Sequence, residues 1–177
     1  LYQRSGDTNA ANASDQQNFS HFLQKTLPAE VLLDAISQST SVPEEFNGWP
    51  EGYRAIQVWD NRMPSYFFSI FGRPVRATVC ECERGSEPSI AQALHLLNAP
   101  EITAKIGHRH GRVRRLAASD KSAVEIIDEL YLSTLSRLPV EAEQTLMLQA
   151  FASLDRRAAA EDVLWALLNS KEFVFNH

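Results

Sequence analysis

The sequence predicts an all-α fold: an irregular bundle of about seven short helices with a long aromatic loop and at most one short pair of extended segments. Three observations carry that expectation. Apolar residues recur at helical spacing in segment after segment, most clearly at Ile90, Ala93, Leu94 and Leu97, which fall at i, i+3, i+4 and i+7. Helix punctuation is dense, with Pro28 and Pro139 at helix starts, Gly72 and Gly107 at ends, and Ser122 three residues before Glu125. The composition, 44% hydrophobic and 22% charged over 177 residues, belongs to a globular chain. A chain of this length buries roughly 70% of its unfolded surface and needs neither metal nor disulfide to fold.

Each element follows in order. Residues 4 to 18 are rich in Ser, Asn, Asp, Gln and Ala and read as an extended surface segment. Phe19, Phe22 and Leu23 give the first anchor to a core. A helix starts near Pro28, marks one face with Val31, Leu32, Ala35 and Ile36, and ends by Ser41. Residues 43 to 63 form a loop too apolar for a free linker, since it carries Phe46, Trp49, Tyr53 and Trp59. Within it, Arg54 to Asp60 suits a short extended piece. Ser65 to Phe71 reads as an aromatic helix closed by Gly72, and Val75 to Glu83 as extended. Ser86-Glu87-Pro88 opens the striped helix of Ile90 to Leu97. Asn98 with Glu101 suggests a capping box for the helix that Gly107 ends. Arg112 to Ala118 is a short basic helix. Ser122 and Glu125 start another, with Val124, Ile127, Tyr131 and Leu135 on its buried face and Leu130 alongside. Pro139 begins a helix with Leu146, Ala150, Phe151 and Leu154 inward. Asp155 to Arg157 is a polar turn, Ala159 to Leu168 the last helix, and Ser170 to Phe175 an aromatic tail folding back on the core. The expected organisation is an extended segment over 1–26 and one helical domain over 27–177, with an irregular loop region at 42–85 and a helical body at 86–177.

Charge and length exclude some classes. Seventeen Lys plus Arg against 22 Asp plus Glu give a net charge of -5, which argues against a general nucleic-acid binder. No run of about 18 apolar residues exists, so no membrane span is expected. The chain opens at Leu1 with no Met, basic n-region or apolar h-region, so these residues hold no signal peptide and read as part of a longer protein.

Few residues suggest chemistry. Cys80 and Cys82 flank Glu81, and two thiolates one residue apart can ligate a soft metal, with His108 and His110 as the missing pair. The other readings are two buried reduced thiols or a strained, redox-labile disulfide. The basic run His108-Arg109-His110-Gly111-Arg112-Val113-Arg114-Arg115 offers Arg109, Arg112, Arg114 and Arg115 to an anion or acidic partner, or is a solvated face balancing acids elsewhere. Trp49, Tyr53 and Trp59 form either a stacking surface for sugars or pins that hold the loop on the helices. His95, among leucines, is read as a hydrogen-bonded core or boundary residue rather than an axial ligand. Glu30 and Asp34, at i and i+4, read as an ordinary polar face. No CxxCH haem motif, Gly-x-Ser-x-Gly, P-loop or HExxH occurs.

Several strings in order resemble one bacterial family, the planctomycete-type domain of unknown function 1553. They include Asp15-Gln16-Gln17-Asn18-Phe19-Ser20, Leu27-Pro28-Ala29-Glu30-Val31-Leu32-Leu33-Asp34-Ala35-Ile36, Phe71-Gly72-Arg73-Pro74, Cys80-Glu81-Cys82-Glu83-Arg84, Gln92-Ala93-Leu94-His95-Leu96-Leu97-Asn98 and Trp165-Ala166-Leu167-Leu168-Asn169-Ser170-Lys171-Glu172-Phe173. The resemblance implies the C-terminal part of a larger exported protein in the periplasm or cell envelope, often beside a cytochrome-c-like domain. Any haem c then sits on that companion, and no cofactor on this chain. The implied partners are the upstream half of the same protein and the cytochrome-c-like domain. No catalytic or ligand residues come with the family. The resulting expectation is a non-catalytic scaffold or docking module. The alternatives are a redox or hydrolytic component acting on complex polysaccharides through Cys80 and Cys82, and a glycan-binding module using the loop aromatics.

Overall fold

In the computed structural model the described residues are 6, 8–15, 17–59, 65–74 and 89–176. Among them the chain forms β1 (Lys25–Thr26), α1 (Ala29–Thr40), a 3-10 turn (Ala55–Gln57), α2 (Tyr66–Ile70), α3 (Ile90–Asn98) and α4 (Pro100–Ile106). There follow α5 (Arg112–Ala117), α6 (Ala123–Leu135), α7 (Glu141–Ser153), α8 (Arg156–Leu168), α9 (Lys171–Val174) and β2 (Phe175–Asn176). The fold is predominantly α-helical, as the periodicity predicts. Among the described residues the one sheet is the antiparallel pair β1–β2, with Lys25 opposite Asn176 and Thr26 opposite Phe175. The expected extended pieces lay elsewhere. Arg54 to Asp60 instead contains the 3-10 turn, and Val75 to Glu83 lies outside the described residues.

Helix α8 is the centre of the body, packed on α4, α5, α6 and α7. Asp155 caps it by accepting from the N–H groups of Arg157 and Ala158, so the segment read as a polar turn is the helix start. Arg156, its first residue, donates to the carbonyls of Ala117 at 3.1 Å and Ser119 at 2.9 Å and also reaches Lys121, fastening α8 to the α5–α6 turn. Ala159, Ala160, Val163, Leu164, Leu167 and Leu168 are all buried. Two small alanines at one end let α5 and α6 approach, and the leucines fill the other end.

Helix α1 buries Ala29, Leu32, Leu33, Ile36 and Thr40, while Val31 is 38% exposed. The inward face is thus rotated by one residue from the expected one. Its end is where Ser41, at φ +57°, turns left-handed and donates its N–H back to the last turn. On α6, Ser122 and Glu125 form the expected reciprocal cap, but Val124 faces out and Ile126 takes its place with Ile127, Leu130 and Tyr131. Helix α7 is an edge helix. Leu146 and Leu154, expected inside, are exposed, and only Met147, Leu148 and Phe151 pack against the core. Arg137 compensates at its start, binding Glu143 through two bonds of 2.8 Å and Glu172 through two of 2.7 Å. One guanidinium thereby joins the turn after α6 to α7 and α9.

Candidate functional site

The two acids of α1 do more than solvate it. Glu30 is 2% exposed and lies 3.4 Å from the equally buried guanidinium of Arg73, which also stacks on the Phe68 ring. Asp34 accepts from the N–H of Ala55 at 2.7 Å and of Ile56 at 3.2 Å, so it caps the 3-10 turn from outside. The polar-face expectation for this pair is therefore corrected: Glu30 is buried against Arg73, just past α2, and Asp34 anchors the aromatic loop at Ala55 and Ile56.

Anchored in this way, the loop forms one wall of a cleft of about 620 Å³. Leu33 and Ile36 of α1 with Phe46, Phe67 and Ile102 make its apolar floor. Trp49 and Tyr66 stand at its sides, and Glu44, Glu45, Asn47 and Glu101 supply polar atoms. Tyr66 is 70% exposed. Lys105 is spent on structure, since its Nζ donates to the carbonyls of Val42 at 2.9 Å and Pro43 at 3.0 Å and pairs with Glu44 at 3.1 Å. Behind the cleft His95 is buried against the rings of Tyr66, Phe67 and Phe71. Its Nε2 lies 3.3 Å from Oε1 of Glu101, an ion-pair distance once the imidazole is protonated, without the alignment of a hydrogen bond. Glu101 thus faces His95 rather than closing a capping box. Asn98 turns back to Leu94, and Pro100 starts α4 after Ala99.

The loop aromatics come together as a corner rather than a flat platform. Trp49 and Trp59 meet edge to face at 5.6 Å and 76°, and Trp49 and Tyr53 are tilted at 5.1 Å. Trp49 and Tyr53 pack on the core, while Trp59 is 74% exposed. The basic run divides similarly. Arg112 donates to the carbonyls of Ser39 at 2.7 Å and Gln38 at 3.1 Å, tying down the end of α1. Burial pulls its pKa down, and Glu129 at 3.7 Å opposes that. Arg115 donates to the carbonyl of His110, and Arg109 and Arg114 are exposed. His108 and His110 stack edge to face at 5.8 Å. Among the described residues no group of three or more His, Cys, Asp or Glu is placed to hold a metal ion. Cys80 and Cys82 lie outside the described residues.

A second feature is the surface of α3. Ser89 caps it, exchanging bonds with Gln92. The buried residues are Gln92, His95 and Leu96, and Gln92 donates to the carbonyl of Ile70 at 3.0 Å. The apolar stripe points outward: Ile90 is 81% exposed, Leu94 53% and Leu97 39%. A groove of about 230 Å³ continues from it over Leu96 and Leu97 to Thr26, Val174 and Phe175 of the β1–β2 end.

Fold and surfaces define a helical domain with an aromatic, acid-lined cleft and an outward apolar helix face. The chain belongs to the family described as PSD1, a protein of unknown function (DUF1553), whose model matches residues 1–151. No curated protein and no solved structure matches it. Sequence reasoning missed Glu44, Glu45, Tyr66 and Lys105 as cleft residues. Only the i, i+4 spacing of Glu101 and Lys105 marked a shared face of α4.

Proposed function

We propose that this domain is a non-catalytic docking module of a larger exported protein of the periplasm or cell envelope. Its α3 face packs against the upstream part of the same polypeptide, and the assembly holds a cytochrome-c-like domain that carries its own haem c. The outward stripe of Ile90, Ala93, Leu94 and Leu97 supports this reading above all. It is the most regular apolar pattern in the sequence, and contiguous exposed apolar surface on one helix face is the usual mark of a partner. The groove beside it supports the choice of occupant, because it runs to Thr26 of β1, the end by which the chain enters the helical domain. No helix among the described residues is long and apolar enough to cross a membrane.

The test is binding between this chain and the rest of its polypeptide, expressed separately and followed by calorimetry. Leu94→Asp should weaken association by about a hundredfold, as expected for a central interface residue, and leave the melting temperature of the isolated chain unchanged. Undiminished association of the variant would rule out α3 as the docking face.

A further inference from the structure

The aromatic cleft is separate from the docking face, sharing no lining residue with the α3 groove. We infer that it binds a neutral hexopyranose oligosaccharide. Three observations give the ligand class. The cleft, at about 620 Å³, lies within the ~300–1,000 Å³ typical of small-ligand sites. Two of its aromatic side chains, Trp49 and the exposed Tyr66, offer ring surface beside a buried floor of Leu33, Ile36, Phe46, Phe67 and Ile102, and such surface suits the C–H face of a pyranose. Apart from Lys105 and the Ser65 hydroxyl, its polar side chains present acceptors. Glu44, Glu45 and Glu101 offer carboxylate oxygens to hydroxyl donors, and the Asn47 amide can both donate and accept.

Charge excludes the obvious alternative. An anionic glycan needs cations facing it, yet Lys105, the only cation lining the cleft among the described residues, is held by Glu44 and two backbone carbonyls. A sulfate or uronate would meet carboxylates instead. A ligand with many hydroxyls and no charge satisfies these acceptors without that repulsion and covers the rings with its apolar face. His95 adds a positioning role. Its buried ring supports Tyr66 at 5.4 Å, and its Nε2 faces Glu101, so two cleft side chains share one backing residue.

The experiment is titration of this chain with cellohexaose, maltohexaose, mannohexaose, a chitosan hexamer and a heparin hexasaccharide, followed by calorimetry and tryptophan fluorescence. At least one neutral hexasaccharide should bind, and the heparin fragment should not. Tyr66→Ala, an exposed position whose loss leaves folding intact, should weaken that binding about tenfold. Glu101→Gln keeps an acceptor oxygen and should change it by less than about threefold. Failure of every neutral probe would overturn the inference, as would binding of the chitosan or heparin fragment alone. So would full affinity in Tyr66→Ala, or a loss of about tenfold or more in Glu101→Gln, which would mark recognition of a positive charge.

Discussion

Helices α3 and α8 are instructive opposites. Helix α3 has the clearer amphipathic pattern, yet Ile90, Leu94 and Leu97 face outward and a glutamine and a histidine face inward. Helix α8 is weakly patterned, opening with two arginines and three alanines, yet it buries six residues and organises the body. A periodic stripe marks an interface but does not say whether the interface is internal. Burial follows from where a helix sits among its neighbours. Helix α8 is flanked on several sides, so small and large apolar residues both become core, while α3 touches the body along one narrow face.

The largest effects should separate these two helices. Leu164→Ala, at a fully buried site in α8, should cost about 3 kcal/mol or more in denaturant unfolding, for lost transfer energy and the cavity left behind. Leu94→Ala in the isolated chain should change stability by less than about 0.5 kcal/mol. Equal costs would break the contrast and place Leu94 in the core.

Next in size is the clamp that holds edge helix α7. Arg137→Ala should cost about 2 kcal/mol, because it leaves Glu143 and Glu172 facing each other without their shared cation. The clamp also predicts the response to acid. Bonds from Arg137 hold the Glu143 carboxyl below its ordinary pKa. A carboxyl depressed in the folded state contributes stability that is present above its unfolded pKa, about 4.3. That stability is lost as pH falls through the folded value. Wild-type unfolding free energy should therefore fall below about pH 4.3, and Arg137→Ala should flatten that part of the profile. A parallel profile in the variant would show that other carboxylates carry the acid sensitivity.

Smaller still is the cap of α6. Ser122→Ala removes an acceptor for the Glu125 N–H and one partner of the Glu125 carboxylate, and should cost about 1 kcal/mol in thermal or denaturant unfolding. The same substitution at Ser136 breaks no cap of this kind and serves as the control.

Much of the fold was legible because it rests on local chemistry. Pro28, Ser65, Gly72, Gly107 and the Ser122–Glu125 box stand where helices begin or end. The aromatic helix, the basic helix and the returning C-terminal tail follow from the same reading. What was illegible depends on partners distant in sequence. Nothing near Glu30 announces Arg73, and nothing near Asp34 announces the N–H groups of Ala55 and Ile56. Leu146 and Leu154 have the spacing of a core face, and only the edge position of α7 exposes them. The cleft needed four separated segments to meet, so its acids read as ordinary surface charge. Of the residues singled out beforehand, Trp49 lines it, Tyr53 and Trp59 flank Trp49, and the arginine run proves partly structural through Arg112.

Docking through α3 is read directly by thiol labelling of Leu94→Cys, resolved by peptide mass, in this chain alone and in the longer protein that the proposed docking role implies. Docking through α3 predicts rapid labelling in the isolated chain and at least about tenfold slower labelling in the longer protein. Equal rates in both would rule out docking through α3 and leave its stripe as surface without a partner.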